Sequence, residues 1–458
     1  MKKERSSFTS RLGFVLAAAG SAVGLGNLWR FPYLAAKYGG GTFLLVYIIL
    51  AITFGFTLMI AEIAIGRNTR LSCIGAYRKL DQRFGFLGWL ASLVPVIITP
   101  YYCVIGGWVV KYLVEFVTGN GLQAAGDSYF ASFTAAQLPG VFNSPVIWFV
   151  LYVLLNAVVV LFGVEKGIEK VSRVMMPVLV ILSIVIAGYS LTIPGAMDGL
   201  KYYLLPRMED FSIFTVLAAM GQLFYSMSLA MGIMITYGSY MQKDNILEHS
   251  VTQIEVFDTG FALLAGLMII PAMVAFSGGD TALVRESAGA GLMFGVLPKV
   301  FESMMFGGVI GTIFFLLVLL AALTSSISLT ETIVSILVDK LHIGRKPATV
   351  GVLLGVLLLG LLSCLGYGPL SAIQPLGMAF LDFFDFISNS ILMPIVAFLT
   401  CILVGHVVGP KFIIDEVETS GAFHRKKLFV VMIRWIAPVM LLMILGTEIL
   451  KFLGVISV

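Results

Sequence analysis

Charge is scarce in this chain. Only 12% of its 458 residues are Asp, Glu, Lys or Arg and 59% are apolar, against about 25% charged and about 45–50% apolar in an ordinary soluble protein. That balance excludes a water-soluble globule. Cysteine is nearly missing, and Cys73, Cys103, Cys364 and Cys401 are too few and too scattered for a disulfide framework. Four histidines, at 249, 342, 406 and 424, and the lack of HExxH, GxSxG or paired-Asp motifs argue against a zinc centre or a hydrolase site. The 29 Lys and Arg residues form no basic stripe and the net charge is only +4, so nucleic acid is not an expected partner.

Long apolar runs are what the chain has instead. They lie near 12–36, 42–66, 86–117, 146–164, 171–193, 213–240, 252–276, 304–338, 348–366, 374–405 and 428–454. A membrane-crossing helix needs about 20 residues, and without period-two alternation a barrel is excluded. Only helices then satisfy the backbone in lipid. The expectation is an all-α polytopic membrane protein with 11 transmembrane helices. Lys2, Lys3 and Arg5 before the first run resemble the start of a secretory signal, but ten further runs follow. Most of the Lys and Arg residues fall on one side if the N-terminus is cytoplasmic, which with eleven crossings puts the C-terminus outside. The expected divisions are a cytoplasmic tail 1–11, a cytoplasmic loop 406–427, a last span with a short outer end over 428–458, and an outer loop 277–303 long enough to act as a lid.

Two spans break the membrane rule. The first carries Gly20, Gly24 and Gly26 followed by Asn27 and Arg30; the sixth reads GQLFYSMSLAMG from Gly221 to Gly232. Small-residue spacing alone would serve helix packing. An amide and a cation at that depth add cost unless they have partners. A broken helix exposes amides at one half-helix and carbonyls at the other, so one break holds both an anion and a cation. The eighth span adds Thr324, Ser325, Ser326 and Ser328. A single such hydroxyl usually bonds back to its own helix, but four in five positions offer oxygen ligands suited to sodium rather than zinc or copper. Among the carboxylates inside spans, Glu62, Asp258, Asp382 and Asp385 stand out as pathway candidates, and for Asp258 a solvated helix end is the plain alternative. Arg30 with Asp385, and Arg5 with Asp339, are so placed that each pair could neutralise itself.

At these residues the chain resembles the neurotransmitter:sodium symporter family. The stretch GSAVGLGNLWRFPYLAAKYGGGTFLLVY from Gly20 to Tyr47, GQLFYSMSLAMG and ALTSSIS occur in the family's order and spacing, and the likeness spans essentially the whole chain. It is greatest to bacterial members with eleven helices that carry tyrosine or several hydrophobic amino acids. The resemblance implies the leucine-transporter fold: a 5+5 inverted repeat, 12–193 and 194–405, with broken helices 1 and 6, plus one additional helix. It implies a non-enzymatic, sodium-coupled symporter importing hydrophobic or aromatic L-amino acids across the plasma membrane by alternating access.

Carried over residue by residue, the substrate site is Ala22, Gly24, Leu25, Gly26, Ile98, Tyr102, Tyr225, Ser226, Ser228, Met231, Ser325 and Leu329. A first sodium ion would meet Ala22, Asn27, Ser226 and Asp258, and a second Gly20, Val23, Ala321, Thr324 and Ser325. Gates would be Arg30, Asp385 and Gln222 outside and Arg5, Asp339, Ser239 and Tyr240 inside, with Phe8 as the inner aromatic. Asp258 stands where many relatives have Asn and Ala262 where chloride-dependent members have Ser, so chloride independence is expected. Met231 replaces an aromatic of the prototype by an adaptable thioether. The rival readings are an ion channel and a non-transporting amino-acid sensor on the same fold.

Overall fold

Helix meets the whole demand for internal backbone pairing that lipid imposes; among the described residues there is no strand. The computed structural model describes residues 7–287 and 289–455. In chain order the principal helices are α1 (Arg11–Ala22), α2 (Gly26–Lys37), α3 (Gly41–Thr69), α4 (Gln82–Val117), α5 (Pro145–Leu161), α6 (Val164–Thr192) and α7 (Ile213–Ser226). They continue with α8 (Ile233–Tyr240), α9 (Leu247–Phe276), α10 (Gly307–Leu341), α11 (Arg345–Leu365) and α12 (Phe380–Val407). Last come α13 (Lys411–Glu418) and α14 (Lys426–Phe452). Each of the eleven expected runs contains one of these spans, counting α1 with α2 and α7 with α8 as single broken crossings.

The tenth span begins later than the sequence suggested. Pro375 opens a turn in which Leu376 and Gly377 take φ of 53° and 77°, so regular helix starts at Phe380. The loop 277–303 carries two short helices, Ala282–Glu286 and Leu297–Glu302. Its Phe294 stacks on Phe130 at 5.1 Å and meets the edge of Trp108 at 5.9 Å, so the loop is folded down on the bundle. At the other end α13 packs on the end of α3. Its buried Glu416 accepts from Arg67 (2.7 Å), Asn68 (2.9 Å) and Lys243 (2.7 Å).

Candidate functional site

Two interruptions face each other in the middle of the bundle. α1 and α2 are bent by 51°; Val23 is extended at φ −74°, ψ 99°, and the Asn27 side chain closes the gap by accepting from Gly24 N at 3.1 Å. Glycine is required here by contact. A Cβ on Gly24 would lie 2.6 Å from Ser325 Oγ, and one on Gly26 would lie 2.7 Å from the Tyr225 ring.

The second interruption uses ordinary residues. Ser228, Ala230 and Gly232 all take left-handed conformations, at φ 53°, 60° and 71°, a cost of roughly 1–2 kcal/mol for each of the first two. Glu62 on α3 offsets part of it, its Oε1 accepting from Ala230 N at 2.7 Å, a hydrogen bond being worth about 0.5–1.5 kcal/mol. The sequence singled out Glu62 as a pathway carboxylate; its contact is with the interrupted backbone.

Between the breaks lies a cavity of about 30 Å³, lined by all twelve expected substrate residues together with Ser21, Asn27 and Ile233. Leu25 N donates to Tyr102 Oη at 3.4 Å. The Ser21 carbonyl accepts from Ser228 Oγ (2.9 Å) and Ser325 Oγ (3.1 Å). Leu25, Ile98, Met231, Ile233 and Leu329 form an apolar wall opposite these polar groups.

On one flank Asp258 of α9 gathers Asn27 Nδ2 at 2.9 Å, Ser226 Oγ at 2.7 Å and Tyr47 Oη at 3.4 Å. Asn27 and Ser226 are thus joined through Asp258, three residues of the first expected sodium set, and the fourth, Ala22, lines the adjoining cavity. Tyr47 is a partner the sequence reasoning missed, although it closes the quoted motif. On the other flank Ser325 Oγ reaches Val23 O at 3.4 Å, and Thr324 Oγ1 reaches Ala321 O at 2.9 Å. A Cβ on Gly20 would touch Thr324 Cβ at 3.3 Å. The five residues of the second set therefore also converge. Thr324, Ser326 and Ser328 all bond back to their own helix, at Ala321 O, Leu323 O and Thr324 O, so of the four hydroxyls it is Ser325 that reaches across to α1. Both groupings are rich in carbonyl, hydroxyl and carboxylate oxygen, the donor type a hard cation prefers.

Above the cavity is a vestibule of about 400 Å³, and Tyr225 is a wall of both. Arg30 and Asp385 line the vestibule, yet they do not join as an ion pair. The Arg30 guanidinium lies 5.6 Å from the Tyr225 ring centroid. Asp385 instead accepts from Tyr101 Oη at 3.0 Å and Asn389 Nδ2 at 2.5 Å. The direct pairing suggested by charge alone is corrected by these nearer neutral donors. Gln222 donates to Gly26 O at 3.0 Å.

Below the cavity Phe8 packs against Phe14, Tyr237 and Tyr240, with centroids 5.6–6.2 Å apart. Tyr240 Oη donates to Glu331 at 2.8 Å, and Arg345 forks onto the same buried carboxylate. Asp339 accepts from Ser72 N at 2.7 Å, and Ser239 Oγ donates to Thr236 O at 2.5 Å. Arg5, the expected partner of Asp339, lies outside the described residues. Glu331 and Arg345 were not foreseen, though Glu331 continues the polar face of α10 less than one turn beyond Ser328.

A bundle with two opposed helix breaks, oxygen-rich groupings on either flank and a cavity walled off at both ends defines a membrane transporter. The profile of the Sodium:neurotransmitter symporter family matches residues 5–131 and 135–455, and the chain belongs to that family. It is a sodium-dependent symporter with the leucine-transporter fold, a multi-pass membrane protein and not an enzyme. Among similar proteins, the uncharacterized sodium-dependent transporter YhdH of Bacillus subtilis (strain 168) is 35% identical, over 98% of both chains. The human sodium- and chloride-dependent GABA transporter 2 is 28% identical, over 91% of this chain and 75% of its own length. The crystal structure of MhsT in complex with L-phenylalanine superposes with a TM-score of 0.86 at 34% identity, over 97% of this chain and 100% of that one.

Proposed function

We propose that this symporter carries hydrophobic and aromatic L-amino acids into the cell together with sodium, by alternating access and without a need for chloride. The observation that carries the reading is the shared cavity. A zwitterion needs opposite partial charges a few ångströms apart, and here the free ends of two half-helices supply amides and carbonyls beside a wall of Leu25, Ile98, Met231, Ile233 and Leu329. The likeness to a protein crystallised with L-phenylalanine points the same way.

Two sodium ions fit the two oxygen groupings: Ala22, Asn27, Ser226 and Asp258 at the first, and Gly20, Val23, Ala321, Thr324 and Ser325 at the second. Gly24, Gly26, Tyr102, Tyr225, Ser228, Ser325 and Leu329 complete the substrate site around Ala22 and Met231. The fixed carboxylate of Asp258, with Ala262 buried one turn beyond it, takes the charge-compensating place of chloride. Arg30, Asp385, Gln222 and Tyr225 gate the outside, and Arg5, Asp339, Ser239 and Tyr240 the cytoplasmic side. In this reading the chain sits in the plasma membrane with its N-terminus inside and C-terminus outside, built from repeats 12–193 and 194–405 and a closing helix. Coupling follows because each ligand shifts the conformational balance by its differential affinity for the two states.

Uptake of labelled Leu, Tyr and Phe into proteoliposomes tests the reading. Accumulation is expected with sodium outside and not with potassium, unchanged when gluconate replaces chloride, and competed by Trp far better than by Gly or Glu. Flux without accumulation would indicate a channel, binding without flux a sensor, and either would sink the proposal.

A further inference from the structure

A cation on the lipid-facing surface of a span is costly unless it has a partner, and α14 carries one that the protein leaves open. Arg434 is exposed, and so are its apolar neighbours Val431, Trp435, Ile436 and Val439. From Arg434 to Phe452, the far end of α14, the helix runs for roughly 27 Å at about 1.5 Å per residue. That is close to the hydrocarbon thickness of about 30 Å, so Arg434 stands at the border between acyl chains and headgroups. The border lies on the Phe8 side: Arg425 N, just before α14, donates to Glu248 in the first turn of α9 at 2.9 Å, and α9 follows directly on Tyr240, whose carbonyl holds Phe8 N.

The guanidinium is aimed but not used up. Arg434 Nε donates to Gly405 O on α12 at 3.0 Å, and the Arg434 carbonyl accepts from His406 Nε2, also at 3.0 Å. The His406 ring meets that of Trp435 edge-on, with centroids 5.7 Å apart. Two π-turns make this contact, Leu403–Val407 of α12 and Met432–Ile436 of α14, a feature frequent at functional sites. Gly405 lets them touch, since a Cβ there would lie 3.0 Å from Ile433 O. With Nε anchored, the two Nη groups form the free edge of a planar fork that matches phosphate oxygens two at a time. Arg425 and Lys426 have ion-pair partners in Glu255 and Glu418; among the described residues Lys427 and Arg434 have none. Lys427 is exposed and lies two turns before Arg434, on the same face of α14 with Val431 between them.

We propose that this corner binds an anionic phospholipid of the leaflet on the Phe8 side. The Arg434 fork takes the headgroup phosphate, Lys427 is the second cation along it, and Trp435, Val431 and Val439 receive the acyl chains. Tryptophan is favoured at this depth, and each basic residue near the surface adds to the attraction for anionic lipid. A bound lipid pins the two π-turns together. At the opposite end of the same helix pair Ser390 of α12 donates to Glu448 of α14 at 2.8 Å, and both residues line the vestibule, so the lipid fastens the second end of a pair that borders the entrance.

The test uses the full-length protein in detergent micelles with added phosphatidylglycerol or phosphatidylcholine, read by native mass spectrometry and by the thermal midpoint. Phosphatidylglycerol should stay bound as an adduct and raise the midpoint, and phosphatidylcholine should do neither. Arg434→Gln should weaken phosphatidylglycerol binding roughly tenfold or more, the loss of a charge-assisted contact, and Lys427→Gln about fivefold, the share of one basic residue near an anionic surface. Arg434→Lys should fall between the wild type and Arg434→Gln, because it keeps the charge and loses the fork. If Arg434→Gln does not fold, Lys427→Gln, which breaks no hydrogen bond within the protein, carries the test. Equal retention of phosphatidylglycerol by the wild type and the folded variants, or equal binding of both lipids, would overturn the site. Displacement of the lipid by an equal concentration of glycerophosphoglycerol, the headgroup without chains, would reassign the corner to free phosphate esters. Loss of a dimer in place of the lipid adduct would give the face to a second copy of the chain, and either result would sink the proposal.

Discussion

The two ends of the central cavity are closed in different ways. On the Arg30 side a vestibule of about 400 Å³ remains, Asp385 is held by neutral donors, and the Arg30 guanidinium rests over an aromatic ring. On the Phe8 side four aromatic rings pack together, Phe8 N is bonded to Tyr240 O at 3.0 Å, and a buried carboxylate takes a guanidinium and a phenol. One end is a curtain and the other a bolted door. A symporter that binds from the vestibule needs this inequality, because the side facing the bound ions has to stay shut until the substrate and ions have both arrived.

Removing the bolt should have the largest effect. Arg345→Ala leaves Glu331 buried with Tyr240 alone, and breaking one half of a buried pair costs about 3–5 kcal/mol. The low end applies here, because Arg345 is 25% exposed. Thiol-reagent labelling in sodium of a reporter cysteine placed at Ala17, buried on α1, should then rise roughly a hundredfold, the low end of that range. Equal labelling with and without Arg345 would erase the contrast between the two ends.

At the centre, Asp258→Ala should raise the sodium concentration for half-maximal uptake by roughly tenfold or more, the worth of one charge-assisted contact, and Asp258→Asn by much less. Identical sodium curves for all three proteins would remove Asp258 from the coupling. On the vestibule side Tyr101→Phe deletes one neutral donor to Asp385 and should shift substrate affinity by about 0.5–1.5 kcal/mol, read as a severalfold change in equilibrium binding. A loss as great as that from Arg345→Ala would mean that the curtain is a second bolt.

The smallest effect is electrostatic and lies outside the spans. Burial works against ionised Glu416, but hydrogen bonds from Lys243 and Asn68 and the charge of Arg67 outweigh it and hold its carboxyl below the usual value. A depressed carboxyl stabilises the fold above its ordinary value of about 4.3, and that contribution fades as pH falls through the lower folded value. The thermal midpoint of detergent-solubilised protein should therefore drop on acidification, and more gently in Glu416→Gln. Parallel pH curves would show that Glu416 contributes nothing there.

Much of this was readable from residue order. Hydropathy located all eleven spans because lipid leaves no alternative to helix. The breaks were visible as Gly24, Gly26 and Asn27 in one span and as the Ser226–Gly232 stretch in the other. The twelve residues named for the substrate fell around one cavity, nine of them because they lie within the three quoted motifs and Ile98, Tyr102 and Leu329 because the family likeness spans the whole chain. Pairings between distant helices were not readable. Nothing local links Glu62 to Ala230 or Glu331 to Arg345, and opposite charge alone suggested Arg30 with Asp385, where Tyr101 and Asn389 stand closer. The left-handed turns at Ser228 and Ala230 were hidden too, since neither is glycine and their support arrives from another helix.

The small size of the central cavity has one more consequence. About 30 Å³ is room for roughly two waters, far less than an aromatic side chain requires, so under the proposed function cargo would enter by pushing Tyr225, Met231 and Leu329 apart and then standing in for the contacts they gave up. The passenger becomes a keystone. Heat protection by ligands should accordingly rise with side-chain bulk from Ala through Leu to Phe, making a melting curve a ruler for the space the protein is built to surrender.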